Sequence, residues 1–136
     1  MKKYELIEHT ADVGIKAYGE TLTQAFCHAA EAMFSLMTDG SVIQYVETRT
    51  IDLIADDLEQ LLVDFLSELL YLCDTEGLVF SDFDINIETT QLTGKISGEP
   101  FNPEVHKRGL DIKAVTYHML EVQLTPPIFV QVLLDI

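Results

Sequence analysis

The sequence predicts a single α+β domain, residues 1–136, in which two long helices pack with mostly antiparallel sheet in a layered β/α/β arrangement. Three observations lead there. Two stretches carry apolar residues three or four apart, most of the remaining chain alternates apolar and polar residues between turn formers, and the second helical stripe is too wide for one contact face. At 136 residues the chain is the size of one ordinary domain, and no repeat, low-complexity tract or linker divides it.

In chain order, residues 4–8 read as a short strand and residues 13–18 as a half-buried one, with His9-Thr10-Ala11-Asp12 as the turn between them. After Gly19, Thr21-Leu22-Thr23-Gln24 matches a capping box, whose hydroxyl and amide satisfy free N–H groups at a helix start. Leu22, Ala25, Phe26, Ala29, Ala30, Met33, Phe34 and Met37 follow at helical spacing until Asp39-Gly40 ends the first helix. Residues 45–54, rich in β-branched and aromatic types, form the next strand. Asp56 and Asp57 then offer side-chain caps for a second helix, whose stripe runs from Leu58 through Leu61, Leu62, Phe65, Leu66, Leu69 and Leu70 to Cys73 and stops at Gly77. Val63, Tyr71 and Leu72 widen that stripe, which is what sheet on two sides of a helix requires.

The second half is read as strands throughout. Residues 83–88 and 92–97 alternate across a short gap and predict a hairpin, and a loop of turn formers fills residues 98–109. Residues 112–116 and 119–124 read as strands on either side of a bulge near Tyr117-His118. Pro126 and Pro127 force a turn before the last alternating strand, residues 128–134. The expectation is two helices with seven or eight strands.

Charge narrows the class of function. Eight Lys plus Arg against 23 Asp plus Glu leave a formal charge of −15, which opposes a nucleic-acid backbone, because affinity for phosphate chains comes from cationic contacts and counterion release. Direct RNA binding is therefore not expected, whereas solubility, a cation or a basic protein partner each fit. No segment has the roughly 18 consecutive apolar residues of a membrane span, and the N-terminus lacks a signal-peptide pattern, so a cytoplasmic protein is expected. Cys27 and Cys73 lie in separate helical patterns, without a second Cys or a His at metal spacing, and read as core residues rather than a disulfide or zinc site.

Gly-rich phosphate loops, nucleophile elbows, paired-histidine helices and dinucleotide fingerprints are all missing from the sequence. What remains is a set of polar residues in apolar surroundings. Asp12 either closes an Asx-turn or binds a cation. Asp135 follows Val132-Leu133-Leu134, and with Ile136 as the last residue its side chain is expected beside a terminal carboxylate. Two carboxylates held so close either raise each other's pKa or take a hard cation such as Ca²⁺ or Mg²⁺. Lys113 either faces solvent or pairs with those carboxylates, while His9 and His118 are each open to a structural or a chemical role. His106-Lys107-Arg108, a basic cluster in an acidic chain, is open to solvation or to partner contact.

These blocks resemble the archease family. His9-Thr10-Ala11-Asp12-Val13-Gly14-Ile15 looks like its signature, and Leu61-Leu62-Val63-Asp64-Phe65-Leu66 with Leu69-Leu70-Tyr71 resembles its second helix. Ile112-Lys113-Ala114-Val115-Thr116-Tyr117-His118 and Leu133-Leu134-Asp135-Ile136 are similar to its two C-terminal blocks. The match covers essentially the whole chain in the right order. The resemblance implies an accessory protein, not itself catalytic, that promotes guanylylation and multiple turnover of an RtcB-type RNA ligase in tRNA splicing and RNA repair and can broaden its nucleotide use. It also implies a divalent metal, Ca²⁺ with Mg²⁺ or Mn²⁺ as substitutes, on Asp12, Asp135 and the terminal carboxylate of Ile136. Lys113 matches a functionally important family position, and His9 and His118 lie in the same blocks without an assigned role.

Two other classes use the same residues. In one, Asp12, Asp135, His118 and Lys113 form a metal-assisted hydrolase of a phosphorylated small molecule, which would turn over substrate without a partner. In the other, the broad apolar helices serve a chaperone or a homo-oligomer, and changing Asp12 has no effect.

Overall fold

The computed structural model describes the backbone of every residue except Met1 and Thr10, and all side chains but those two, Glu8 and His9. In chain order the elements are β1 (Tyr4–His9), β2 (Asp12–Gly19), α1 (Leu22–Met37), β3 (Glu47–Ile54), α2 (Leu58–Glu76), β4 (Leu78–Glu88), β5 (Gln91–Pro100), β6 (Ala114–Gln123) and β7 (Ile128–Asp135). The strands form two antiparallel sheets, one ordered β1-β2-β7-β6 and the other β3-β5-β4. Both helices touch strands of both sheets, α1 against β2, β7 and β4 and α2 against β6, β3, β4 and β5. The layered β/α/β order expected from the width of the second helical stripe is the observed one.

Local chemistry starts each helix. Thr21 is the N-cap of α1, its Oγ1 accepting from the Gln24 N–H at 3.1 Å, while the Gln24 amide oxygen accepts from the Glu20 N–H at 2.6 Å. The box thus closes one residue earlier than its usual pattern. Asp57, not Asp56, caps α2 by accepting from the Gln60 N–H at 2.8 Å, and Gly77 ends the helix in the left-handed region at φ 70°. Between the sheets, Phe26 and Phe34 of α1, Phe65 of α2 and Phe80 and Phe83 of β4 form a connected set of ring contacts with centroids 5.6 to 6.4 Å apart. Four of these rings, Phe83 being the exception, are buried completely or nearly so.

Three departures from the sequence expectation have physical causes. The β4 strand begins at Leu78, because a bulge between Phe80 and Asp82 shifts the pairing with β5 by one residue. Leu78 and Phe80 face the core before the bulge and Phe83 and Ile85 after it, so no single alternation spans the strand. On the partner strand Gly98 receives that bulge, and a Cβ there would stand 1.8 Å from the Val79 carbonyl oxygen, which carries β5 through residues assigned to a loop. The third departure is β6, one strand rather than two, since the register with β7 slips between Thr116 and Glu121 without ending the pairing. Seven strands result among the described residues. No helix among the described residues is long and apolar enough to cross a membrane.

Gly98→Ala is expected to lower unfolding free energy by about 3 kcal/mol, the upper range for overpacking, because the obstructing atoms are backbone. Urea denaturation checks this, and a loss below about 1 kcal/mol would show that β4 yields there.

Candidate carboxylate site

The site is built by register. In β2, Val13, Ile15 and Ala17 point into the core, which leaves Asp12, Gly14, Lys16 and Tyr18 on the outer face. In β7, Val130, Val132 and Leu134 point inward, leaving Phe129, Gln131, Leu133 and Asp135 outside. The two strands pair antiparallel with Asp12 directly opposite Asp135. Opposed residues of such a pair share a face with Cα atoms about 4.5 to 5.5 Å apart, so the two carboxylates are neighbours. Both residues are half-buried.

The same cross-strand row runs on through His9 of β1, opposite Asp12, and Ala114 of β6, opposite Asp135. The side chain of His9 lies outside the described residues, as does Thr10 of the signature block. His9 and Asp12 are paired strand residues rather than turn residues, and Ala11 between them stands at φ 64°. The row beneath is apolar: a Cβ on Gly14 would stand 2.9 Å from Ile7 Cβ, so Ile7 covers the glycine, and Leu133 opposite Gly14 is buried. Ile136 is half-buried against the core.

Lys113 precedes β6 rather than lying within it, and its N–H donates to the Asp135 carbonyl at 2.7 Å. Its side chain is exposed. Asp12, Asp135, Ile136 and Lys113 are therefore brought together from the two ends of the sequence. His118 lies farther along β6 in the slipped segment, exposed, with its N–H donating to Thr116 Oγ1 at 3.3 Å while the Thr116 hydroxyl donates to the Leu133 carbonyl at 3.0 Å. Among the described residues no three His, Cys, Asp or Glu side chains stand together as a metal-holding group, so the set here consists of two aspartates and main chain. An oxygen-only set suits a hard cation.

The loop that delivers Lys113 divides the basic cluster. His106 is buried, whereas Lys107 and Arg108 are exposed and the Arg108 guanidinium lies 4.9 Å from the centre of the Phe101 ring. His106 Nδ1 accepts from the Asn102 N–H at 2.9 Å, which leaves the proton on Nε2, and Nε2 donates to the Glu99 carboxylate at 3.0 Å. The Gln44 N–H also donates to that carboxylate, at 2.7 Å, and with the His106 contact it holds the Glu99 carboxyl below its ordinary range against the opposing effect of burial. A buried histidine in a hydrophilic loop is something the sequence did not single out from its two basic neighbours. Both cysteines are half-buried and unpaired, and burial pushes their thiols up to about 11, which removes them as nucleophiles near neutral pH.

Comparison with known proteins gives a consistent result. The family model of the archease protein family matches residues 4–136. A protein archease of Pyrococcus abyssi is 42% identical over 130 residues, covering 93% of this chain and 92% of that protein. A protein archease of Saccharolobus islandicus is 46% identical over 132 residues, covering 96% and 95%. The solution structure of Methanobacterium thermoautotrophicum protein 1598 matches with a TM-score of 0.82 and 38% sequence identity over 100% of both chains.

Two expectations follow from the site. Like charges directly opposed on a ladder repel, so Asp135→Asn in chelator-treated buffer should raise stability by about 0.5 kcal/mol in urea denaturation, and a drop would mean the carboxylates are not close. Glu99 has a lowered pKa in the folded state, so its contribution is complete above the ordinary carboxylate range and is lost as pH falls through the folded value. Thermal stability of Glu99→Gln should accordingly depend less on pH than that of the native protein between about pH 5 and 3, and parallel curves would contradict this.

Proposed function

The chain belongs to the archease family, and from that premise we propose that it is the accessory protein of an RtcB-type RNA ligase, promoting guanylylation and multiple turnover in tRNA splicing and RNA repair without being a catalyst itself. The observation that supports this reading is the register of β2 against β7, which places Asp12 across from Asp135 at the end of the ladder, on the face turned away from the core. That pair is an acidic oxygen cluster on a rigid sheet, and rigid elements hold a binding group more accurately than loops do.

The residues present fit a divalent cation. Asp12, Asp135 and the main-chain oxygens of Ile136 would hold it, and Ca²⁺ is the first candidate because every donor is a hard oxygen. Bound there, the ion would supply a positive charge that anionic groups on the ligase or its nucleotide can approach. The protein's own residues do the rest. The β2–β7 ladder orients both carboxylates, Ile7 and Leu133 keep the row beneath them apolar, and Lys113 places a flexible cation beside the cluster. The formal charge of −15 favours approach to the cationic, RNA-binding face of a ligase and disfavours RNA itself, so complex formation is governed by electrostatic steering. This reading assigns the protein to the cytoplasm.

Two measurements test the proposal. Added to a cognate RtcB-type ligase with GTP, metal and RNA ends, the native protein should convert single-turnover ligation into multiple turnover, whereas a folded Asp12→Ala protein should not. Absence of activation by the native protein, or turnover of a phosphoester by the protein alone, would overturn the accessory role. In the second, Ca²⁺ at about 100 times its dissociation constant should raise unfolding free energy by about 2.7 kcal/mol in the native protein and leave Asp135→Asn unchanged. Equal shifts in both would move the cation elsewhere.

A further inference from the structure

We infer that His106 is a positioning residue for the carboxylate site: from one end of the 101–113 loop it fixes where Lys113 stands beside Asp135. The inference rests on the accessory-protein reading and concerns the residue that orients the site's cation.

The loop is hydrophilic and mostly exposed, yet the His106 ring is buried and both of its nitrogens are engaged. On one side it accepts the Asn102 N–H, on the other it donates to Glu99, and its face lies against Phe101 with centroids 5.5 Å apart. Glu99 in turn accepts the Gln44 N–H, so one ring ties together the end of β5, the segment before β3 and the loop itself. From there the backbone is fastened almost continuously to the C-terminal end of α1 and the turn that follows it. The Lys107 N–H donates to Ser41 Oγ at 2.8 Å, those of Gly109 and Leu110 to the Met37 and Leu36 carbonyls at 2.9 Å each, and Ile112 is buried. The next residue is Lys113, whose N–H reaches Asp135. At Gly109 the loop backbone lies directly against α1, since a Cβ there would stand 2.0 Å from the Leu36 carbonyl oxygen.

A lysine on a four-carbon stem is directed by its backbone, and this backbone is directed by the loop. Removing the His106 ring leaves the Asn102 N–H without its acceptor and Glu99 with the Gln44 N–H alone, so the loop loses its tie to β5 in a segment that carries no sheet ladder. The expected result is local opening of residues 101–113 while both sheets stay formed. In charge terms, the carboxylate pair keeps its two negative charges and loses the fixed backbone position from which the neighbouring lysine extends.

The experiment compares the native protein with His106→Ala and Glu99→Gln, first by amide hydrogen exchange on the isolated protein. Exchange at Lys113 and at residues 107–112 should speed up about tenfold or more, the scale on which losing hydrogen-bond partners favours local opening, with β2 and β7 unchanged. Unchanged exchange at Lys113, or acceleration spread evenly over both sheets, would overturn the inference. If His106→Ala does not fold, Glu99→Gln, which keeps the ring and weakens its anchor, carries the same comparison. The second arm is ligase activation in a double-mutant cycle: His106→Ala should cost about tenfold in the native background and nothing further in Lys113→Met. An equal loss in both backgrounds would assign His106 a merely structural role. A native protein that activates no ligase would defeat the accessory reading, while the exchange data would still decide the loop's.

Discussion

Eight consecutive residue pairs join β2 to β7, and the acidic end of the molecule depends on that ladder. It is a contact between distant parts of the chain, so no local preference creates it. The inward residues supply the reason: Val13, Ile15 and Ala17 on one strand and Val130, Val132 and Leu134 on the other all enter the same core beneath α1. A slip of one residue would turn every one of those side chains to solvent, and the register is therefore held by burial along its whole length. Asp12 and Asp135 contribute nothing to that choice and are simply carried into opposition by it. A core that fixes register thus fixes a pair of charges that repel each other, a placement that solvent and free side chains would not choose.

The helices show a division of labour between the two sheets. Small residues on α1, Ala25, Ala29, Ala30 and Ala32, let it lie close between layers, while the larger side chains of α2 fill the remaining width. Phe83 reaches from β4 to rings on both helices and so couples them to one sheet. With helices covered on both sides, the polar faces available to a partner are sheet faces, loops and helix ends.

Much of this was legible in the sequence for identifiable reasons. The helices were readable because both their spacing and their caps are local, and Thr21 and Asp57 act at the positions their side chains favour. The hairpins were readable where alternation is unbroken. Expectation failed at the bulge in β4 near Ser81, because an inserted residue reverses parity and a pattern of period two has no means of showing it; in β6 the irregularity falls where a bulge was expected, near Tyr117-His118, and only the continuity of the strand through it was missed. The site was half legible. Asp12 and Asp135 stood out as charges in apolar company, but their pairing is a property of register. His106 was unreadable as a buried group, since its burial depends on Glu99, Gln44 and Phe101, none of which its own neighbourhood in the chain identifies.

The strand β7 follows the other three strands of its sheet in chain order and yet lies between β2 and β6. Until it emerges from the ribosome, β2 presents an open edge and β6 has no partner on that side, so the core that Val130, Val132 and Leu134 help to close stays open there. The carboxylate pair cannot exist in a partial chain. An incomplete product of translation would retain hydrophobic surface that attracts chaperones and proteases, and it would have no means of imitating the finished site.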